Sequence, residues 1–410
     1  MNAFEQNLEK YAEVAVKVGI NLKKGQGVLL STSIEGLPLA RKVQKKAYEA
    51  GAKHVEVKIS DDEMRLNRYK FGSDQVFEEF PEFIKLEFEK MVEEDYTLIN
   101  VMAPNPELLK EIDPSLVAKD SKTRSIALES FMKATMNGTV KWNVLAVASK
   151  AWAKMVFPEL EEEKAMESLW EQIFKISRID NADPVQEWKT HDANLKHYSN
   201  YLTEKNFEKM KYTAEGTDLE VYLADEHVWI AGGNKDNKGD DFLPNIPTEE
   251  VFSMPHYKKV NGTLKSTKPL SVRGQFIDGF GFTFENGKVV DFYAETGYEV
   301  LEELLNTDEG ARHLGEIALV PYDSPISNSG LIFSNTLYDE NASCHFALGK
   351  AYSYNLKNGT KLEKEELEKR GANHSLIHVD FMVGSSNLKV VGITFEGEEI
   401  VVFENGDWAI

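Results

Sequence analysis

An imidazole and a carboxylate stand two residues apart near the end of the chain, within an apolar run. If this run is a strand, His378 and Asp380 lie on one face, because successive side chains of a strand point to opposite faces. Ile377, Val379 and Phe381 then face the other way. The pair alone would also suit a structural hydrogen bond, so its chemistry depends on what the rest of the chain places beside it.

Two acidic segments precede this pair. Glu249 and Glu250 run directly into an apolar stretch, and on an extended segment only one of them shares the inner face with Phe252. Glu316 opens a run that predicts a buried strand, where an unpaired carboxylate is costly. Arg312 could supply a structural counter-charge, and a metal ion is the alternative.

A third segment combines polar residues with a predicted helix. Asn341 is a suitable N-cap, and the helix that would follow places His345 and Tyr352 on one face, two turns apart. A lone histidine in such a stretch is more often a core residue than a ligand. We expect Cys344 to be a small buried thiol.

Together these segments offer several carboxylates and two imidazoles, but the chain has a single cysteine. This donor set suits Zn²⁺, Mn²⁺ or Co²⁺ and argues against a Cys-rich structural zinc site. It exceeds what one catalytic ion needs, whereas two ions about 3.5–4 Å apart, with one bridging carboxylate, would use it. The sequence therefore predicts a site for two divalent ions.

Four motifs resemble those of the thermophilic metalloaminopeptidase family, and the resemblance covers essentially the full length. They are N-I-P-T-E-E-V-F at 245–252, in which the isoleucine is an insertion, A-R-H-L-G-E at 311–316, E-N-A-S-C-H-F-A-L-G-K-A-Y at 340–352 and N-H-S-L-I-H-V-D-F-M at 373–382.

The resemblance implies roles for individual residues. The implied metal ligands are Glu250, Glu316 as the bridging carboxylate, His345, His378 and Asp380, with Glu340 as a further acidic position. Tyr352 matches the family's active-site tyrosine. Because an acid beside a ligand acid often serves as the general base in dinuclear peptidases, Glu249 is our hypothesis for that role. The resemblance also implies two divalent ions per chain, of Zn, Co, Mn or Mg, and a homodimer.

Composition limits the other classes of function. At 410 residues, 42% of them hydrophobic, the chain predicts two globular domains. A net charge of −21 without a long basic stretch excludes nucleic acid as a partner. No run approaches the roughly 20 apolar residues of a membrane span, and the start lacks a secretory signal. With a single cysteine, these features predict a cytoplasmic protein.

The elements that must position these residues fall into two parts. In 1–205, helical periodicity alternates with short apolar strands, which predicts an α/β domain with a largely parallel sheet. There, Gly25 and Gly27 precede a strand rather than follow it, so we expect a turn and not a dinucleotide-binding loop. In 206–410, strands alternate with Asn-Gly turns at 261–262, 286–287 and 405–406, which predicts a β-rich α+β catalytic domain.

The predicted function is a broad-specificity aminopeptidase that hydrolyses N-terminal residues from short peptides. The same ligands serve other dinuclear metallohydrolases, which are one alternative. A non-enzymatic α/β binding protein with a structural cation is the alternative from a different class.

Overall fold

The computed structural model describes residues 2–272 and 275–410. The chain forms two compact units. The first comprises the residues up to His191 together with Gly233–Pro247, and the second comprises Asp192–Gly232 and Thr248–Ile410. The domains 1–205 and 206–410 remain a prediction about which segments fold independently.

A parallel sheet forms the centre of the first unit. Its main strands are β1 (Gly27–Ser33), β2 (His54–Ser60), β3 (Tyr96–Met102) and β4 (Trp142–Ala146). They lie in the order β4-β3-β1-β2, and each neighbouring pair is parallel. The short strand Asn245–Ile246 pairs with β4. The predicted parallel sheet is confirmed, and its continuous apolar runs, such as that of β1, suit strands that are covered on both faces.

Helices connect these strands and extend beyond them. They are α1 (Ala3–Val14), α2 (Leu37–Glu49), α3 (Asp62–Phe71), α4 (Gln75–Glu78), α5 (Glu82–Glu93), α6 (Pro114–Ala127), α7 (Glu129–Met136), α8 (Lys150–Val156), α9 (Glu162–Ile176) and α10 (Pro184–Lys205). The chain enters β1 through Gly25, whose φ of +89° lies in the left-handed region, so the predicted turn is confirmed. Across residues 2–272 and 275–410, no helix is long and apolar enough to cross a membrane.

The second unit contains a five-stranded sheet and an eight-stranded sheet. The five-stranded sheet carries β5 (Val251–Ser253), β6 (Leu314–Leu319), β7 (His345–Gly349) and β8 (His378–Met382) in the order β8-β7-β6-β5, and all these neighbours are antiparallel. Ile230–Ala231 pairs with the outer edge of β5. We call this the site sheet. The predicted β-rich character of this part of the chain is confirmed.

An eight-stranded antiparallel sheet forms the rest of the framework of this unit. In spatial order its strands are Lys288–Tyr293, Gly281–Glu285, Pro255–Lys265, Thr217–Leu223, Lys209–Ala214, Lys389–Ile393, Glu399–Glu404 and Asp407–Trp408. Two-stranded pairs join Leu270–Val272 to Gln275–Ile277 and, in the first unit, Asn234–Lys235 to Asp241–Phe242. The helices of this part are α11 (Tyr298–Leu305), α12 (Thr336–Asp339) and α13 (Lys364–Lys369).

The predicted Asn-Gly turns have different outcomes. Asn286 and Asn405 both have positive φ and close hairpins with the glycines that follow them, as predicted. The turn predicted at Asn261-Gly262 is not found, because Gly262 lies inside a strand and pairs with residues of the strands on both sides. A Cβ atom on Gly262 would lie 2.1 Å from the carbonyl oxygen of Asp218, so this glycine permits close approach of two backbones instead of a turn.

The hydrophobic core of the second unit lies against the rear face of the site sheet. Phe346 of β7 packs against Tyr212, with 4.9 Å between ring centres, and Phe381 of β8 packs 5.2 Å from Phe282. Tyr212 and Phe282 belong to the eight-stranded sheet. Aromatic packing between the two sheets thus fixes the strands whose other face carries the polar residues.

Candidate metal centre

The front face of the site sheet carries the predicted acids and histidines. Glu316 of β6 is paired with Ala347 of β7, and Ala347 is paired in turn with Asp380 of β8. Directly opposed residues share a face, so the two carboxylates lie on either side of a residue with only a methyl side chain. His378 is paired with Gly349, which also offers no bulk. Small residues on β7, which lies between β6 and β8, therefore leave space between the polar side chains.

The alternation predicted for the C-terminal pair is confirmed. His378 and Asp380 lie on strand β8, and Ile377 and Phe381 are buried in the core on the other side. Because successive side chains of a strand point to opposite faces, a largely apolar run can hold two polar groups on one face.

One group of metal-competent side chains consists of Glu250, Glu316 and His345. The Nε2 atom of His345 lies 3.4 Å from Oε2 of Glu250 and 3.6 Å from Oε1 of Glu316. His345 is almost fully buried, and Glu316 is also buried. Each residue offers one ligand atom, and these atoms all lie within 4.8 Å of one another.

A second group consists of Glu316, His378 and Asp380. The Nε2 atom of His378 lies 3.7 Å from Oε2 of Glu316 and 3.4 Å from Oδ1 of Asp380. Glu316 thus belongs to both groups, and its two oxygens face different histidines.

Backbone carbonyls orient both imidazole rings. The Nδ1 atom of His378 lies 2.7 Å from the carbonyl oxygen of Lys350, and that of His345 lies 3.3 Å from the carbonyl oxygen of Ser343. Because a carbonyl oxygen only accepts, each Nδ1 carries a proton and donates it. The Nε2 atoms then face the carboxylates, which is the arrangement of a histidine that binds a metal through Nε2.

The charges of the two groups call for cations. Within the described ranges, no Lys or Arg forms an ion pair with Glu250, Glu316, Glu340 or Asp380. Arg312, the alternative counter-charge for Glu316, instead contacts the side chain of Asn306 at 2.8 Å. Oδ1 of Asp380 is buried and accepts no hydrogen bond from another described residue. Carboxylate and imidazole donors with an unsatisfied buried oxygen fit divalent metal ions.

The pKa values follow from burial and from the crowding of like charges. Burial raises the pKa of Glu316, and burial together with the nearby Glu250 and Asp380 carboxylates raises the pKa of Glu340 well above its usual value. Burial opposes the charged form of His378, yet the carboxylates of Asp380 and Glu316 raise its pKa to about 9. These buried acids cannot all be ionised without a compensating positive charge, so bound cations would stabilise the site.

Comparisons with known proteins decide the family. The family model described as thermophilic metalloprotease (M29) matches residues 4–408. The chain belongs to this family. The predicted resemblance is confirmed, as is the predicted enzyme class, a hydrolase of the metalloprotease kind.

Relatives match over the full length of the chain. Aminopeptidase 2 of Geobacillus stearothermophilus is 47% identical over 409 residues, which are 100% of this chain and 99% of that protein. Aminopeptidase AmpS of Bacillus subtilis (strain 168) is 44% identical, with 100% of each chain covered. The structure of wild-type AmpT from Thermus thermophilus aligns with a TM-score of 0.93 at 37% identity and covers 100% of both chains.

Two of the local predictions for this M29 chain are wrong. His345 begins strand β7 rather than lying on a helix, and Tyr352 follows in the loop after that strand, so helical spacing does not relate them. The ring centre of Tyr352 lies 4.5 Å from that of His378 instead. Asn341 is not an N-cap, because it lies within the short 3₁₀ helix Glu340–Ala342. Strand pairing of β7 on both sides outweighs the local helical pattern.

The remaining predicted residues surround the two groups. Glu340 lies on the 3₁₀ helix and outside both groups, although its carboxylate is close enough to Glu250 and Asp380 for their charges to raise its pKa. Glu249 is buried immediately before Glu250 and also lies outside the groups. Cys344 is a buried thiol, as predicted, and burial raises its pKa to about 12.

The sequence did not predict the supporting roles of two residues, Asn341 and Tyr354. The Oδ1 atom of Asn341 accepts a hydrogen bond from the backbone N–H of Glu249 at 2.7 Å, and its Nδ2 atom donates to the Leu337 carbonyl at 3.1 Å. Tyr354 stacks in parallel on Tyr352, with ring centres 5.1 Å apart. The position of Asn341 directly after Glu340 in a motif was a usable signal, whereas the i, i+2 tyrosine pair in a loop carried none.

Proposed function

We propose that the chain is a broad-specificity aminopeptidase that removes N-terminal residues from short peptides and holds two divalent metal ions. The observation that carries the proposal is the shared Glu316. Its Oε1 atom lies 3.6 Å from the Nε2 atom of His345, and its Oε2 atom lies 3.7 Å from the Nε2 atom of His378. A carboxylate with one oxygen toward each of two His-and-acid groups is what a bridging ligand requires.

The proposal assigns ligands to both ions. Glu250 and His345 would hold one ion, His378 and Asp380 the other, and Glu316 would contact both. The donors suit Zn²⁺, Co²⁺, Mn²⁺ or Mg²⁺, and the proposed ligand set does not include the buried thiol of Cys344. Glu340 would be a further acid beside the first group. When bound, the ions supply Lewis-acid polarisation of a carbonyl group and lower the pKa of water.

The residues of the chain would select a free N-terminus. Glu250, Glu316, Glu340 and Asp380 crowd negative charge into one buried region without a described Lys or Arg beside them. A protonated peptide amine is favoured there over an acylated one, because it offers charge and hydrogen-bond donors to carboxylates.

Tyr352 and Glu249 would act on the reacting groups. The phenol of Tyr352, packed against the His378 ring, would donate a hydrogen bond to the oxyanion of the attacked carbonyl. Glu249 would serve as the general base that accepts a proton from water. The hydrogen bond from its backbone N–H to Asn341 supports this proposal, since it ties the Glu249 backbone to the segment that carries Glu340.

Chromogenic anilides of Leu, Arg and Ala test the proposal. We expect release of the chromophore only from substrates with a free amine, loss of release after chelation, and recovery when divalent ions return. Release from N-acetylated anilides at equal rates would point to another dinuclear hydrolase. No release with any added ion, together with retained metal, would favour a binding protein with a structural cation.

The chain would act as a homodimer in the cytoplasm, with Zn²⁺, Co²⁺, Mn²⁺ or Mg²⁺ as its metal. Elemental analysis of protein purified without chelator tests the metal identity and the number of ions.

A further inference from the structure

The first unit contains a crevice of about 460 Å³ on one face of its parallel sheet. Leu29 of β1 and Leu98 of β3 line its floor, and Phe88 of α5 and Leu128, between α6 and α7, line its sides. All four belong to one apolar cluster. A volume of this order is that of small-molecule pockets, which are mostly apolar with few polar groups.

The crevice lies where the strand order reverses. From β1 the chain passes to β2 on one side, and then crosses to β3 on the other side of β1. The floor residues Leu29 and Leu98 are directly paired across β1 and β3, as are Ser31 and Asn100, which also line the crevice. In open α/β sheets, ligands bind at the crevice formed at this reversal, toward the carboxyl ends of the strands. Ser31 and Asn100 lie in the C-terminal halves of their strands.

Five polar side chains converge on the apolar floor. These are Ser31, Asn100, Ser121, Arg124 and Ser125. In residues 2–272 and 275–410, none of these side chains forms a hydrogen bond or an ion pair. The guanidinium of Arg124 lies 5.9 Å from the ring centre of Phe80, a cation–π contact that leaves its hydrogen-bond donors available. The nearby acid Asp120 is engaged by Arg68 at 2.7 Å through both of its oxygens.

The chemistry of the lining defines the ligand. Arg124 supplies a positive charge, the hydroxyls and the amide supply hydrogen bonds, and no acid is among the described residues that line the crevice. A planar guanidinium matches a carboxylate with two parallel hydrogen bonds. A protonated amine would have no anionic partner. We propose that this crevice binds a small monocarboxylate with an aryl or branched alkyl body and no amino group. The described residues that line the crevice belong to the first unit, and those of the candidate metal centre belong to the second.

The probe for this site is 3-phenylpropionate, titrated by calorimetry into the metal-loaded protein. Its matched control is the neutral 3-phenylpropanamide. We expect the carboxylate to bind at least about tenfold more tightly than the amide, the size of one charge-assisted hydrogen bond. Equal binding of the amide, or no saturable binding of the carboxylate at millimolar concentration, overturns the proposal.

Two variants locate the binding. Arg124→Gln should weaken binding at least about tenfold, whereas Arg41→Gln, the same change at an exposed position of helix α2, should leave it unchanged. Ser125→Trp, at an exposed position of α6, should block the crevice while the helix stays folded. Binding that survives both Arg124→Gln and Ser125→Trp overturns the site.

A carboxylate could instead bind at the candidate metal centre. Binding that is lost in Glu316→Gln but kept in Arg124→Gln would show this and would also overturn the proposal. Hydrolysis of the anilides is measured separately, so failure of the crevice leaves the aminopeptidase proposal intact, and the reverse also holds.

Discussion

The side-chain carbonyl of Asn341 holds the backbone N–H of Glu249 at 2.7 Å. Asn341 is fully buried, and its amide group donates to the carbonyl of Leu337. One side chain therefore connects the segment of Glu249 and Glu250 to the segment that carries Glu340. A partner of this kind orients the segment that carries a ligand.

Replacing this partner should weaken metal binding. We expect Asn341→Ala to lower metal affinity by about 10–100-fold, because the Glu250 segment loses its fixed position. The control is Asn387→Ala, at an exposed position of the same unit. Competition with a chelating dye measures both affinities. Equal affinity in the two variants would show that strand pairing alone positions Glu250.

The shared carboxylate should matter more than any single terminal ligand. Glu316→Gln removes the negative charge that faces both histidines, so we expect loss of both ions and of peptide hydrolysis. Asp380→Asn touches only the second group, and it should lose one ion first. Elemental analysis after gel filtration counts the ions. A Glu316→Gln protein with two tightly bound ions and near-normal turnover is incompatible with the bridging role.

Tyr352 should affect rate and not metal content. If its phenol donates to the oxyanion, Tyr352→Phe loses about 10²–10³ in kcat. Tyr354→Phe is the matched control, since it keeps the stacked ring pair and removes a hydroxyl two residues further along the chain. Steady-state kinetics and metal analysis are measured on both. Unchanged turnover in Tyr352→Phe would leave that tyrosine a packing residue only.

Replacing the adjacent acids Glu249 and Glu250 should have different effects on turnover and metal content. A general base contributes about 10²–10⁴ in rate with little effect on metal affinity, so Glu249→Gln should keep its ions and turn over slowly. Glu250→Gln should lose metal first, because the carboxylate of Glu250 lies 3.4 Å from His345. Full activity of Glu249→Gln would move the search for the base to Glu340.

Stability at acidic pH should depend on a histidine outside the metal centre. Burial lowers the pKa of His227 from 6.5 to about 4 in the folded chain. Its Nδ1 atom donates to the Ala224 carbonyl, and its Nε2 atom is buried without a partner among the described residues. As the pH falls, His227 is therefore protonated near pH 6.5 in the unfolded chain but only near pH 4 in the folded chain.

The free energy of unfolding should consequently fall as pH drops through this window, by up to about 3 kcal/mol from this one group. Above pH 6.5 the contribution is constant. His227→Asn, whose amide can still donate to Ala224, should flatten the dependence, and His374→Asn at an exposed position should not. Urea unfolding at several pH values checks this. Equal slopes in all three proteins would assign the acid sensitivity to other groups.

Much of the fold was predictable because its signals are local. The apolar runs of the first unit and the alternation around His378 follow from the period of two of a strand. A helix is predicted at His345 because Asn341 resembles an N-cap, and the seven-position spacing of His345 and Tyr352 fits two helical turns. That spacing is coincidental in a strand followed by a loop. Asn261-Gly262 has the composition of a turn, but cross-strand pairing on both sides decides its conformation. Tertiary partners, which a single sequence does not show, settle such cases.

The candidate site shows the same division. The family motifs give the identities of the acids and histidines, yet nothing in them states that the two oxygens of Glu316 face different histidines. That relation depends on which strands are neighbours. The crevice of the first unit is the extreme case, because Leu29 and Leu98 are distant in sequence and meet only through the pairing of β1 with β3.

Glu316, Ala347 and Asp380 are directly opposed on three neighbouring strands, so the spacing of the strands sets the distance between the two carboxylates. Neighbouring strands are spaced by about 4.8 Å, a distance that hydrogen bonds fix and side chains cannot adjust. An inserted or deleted residue in β7 would turn Phe346 toward the ions and His345 into the core. The site therefore has no partially aligned form: the strand is in register and the ligands meet, or it is out of register and an aromatic ring takes their place.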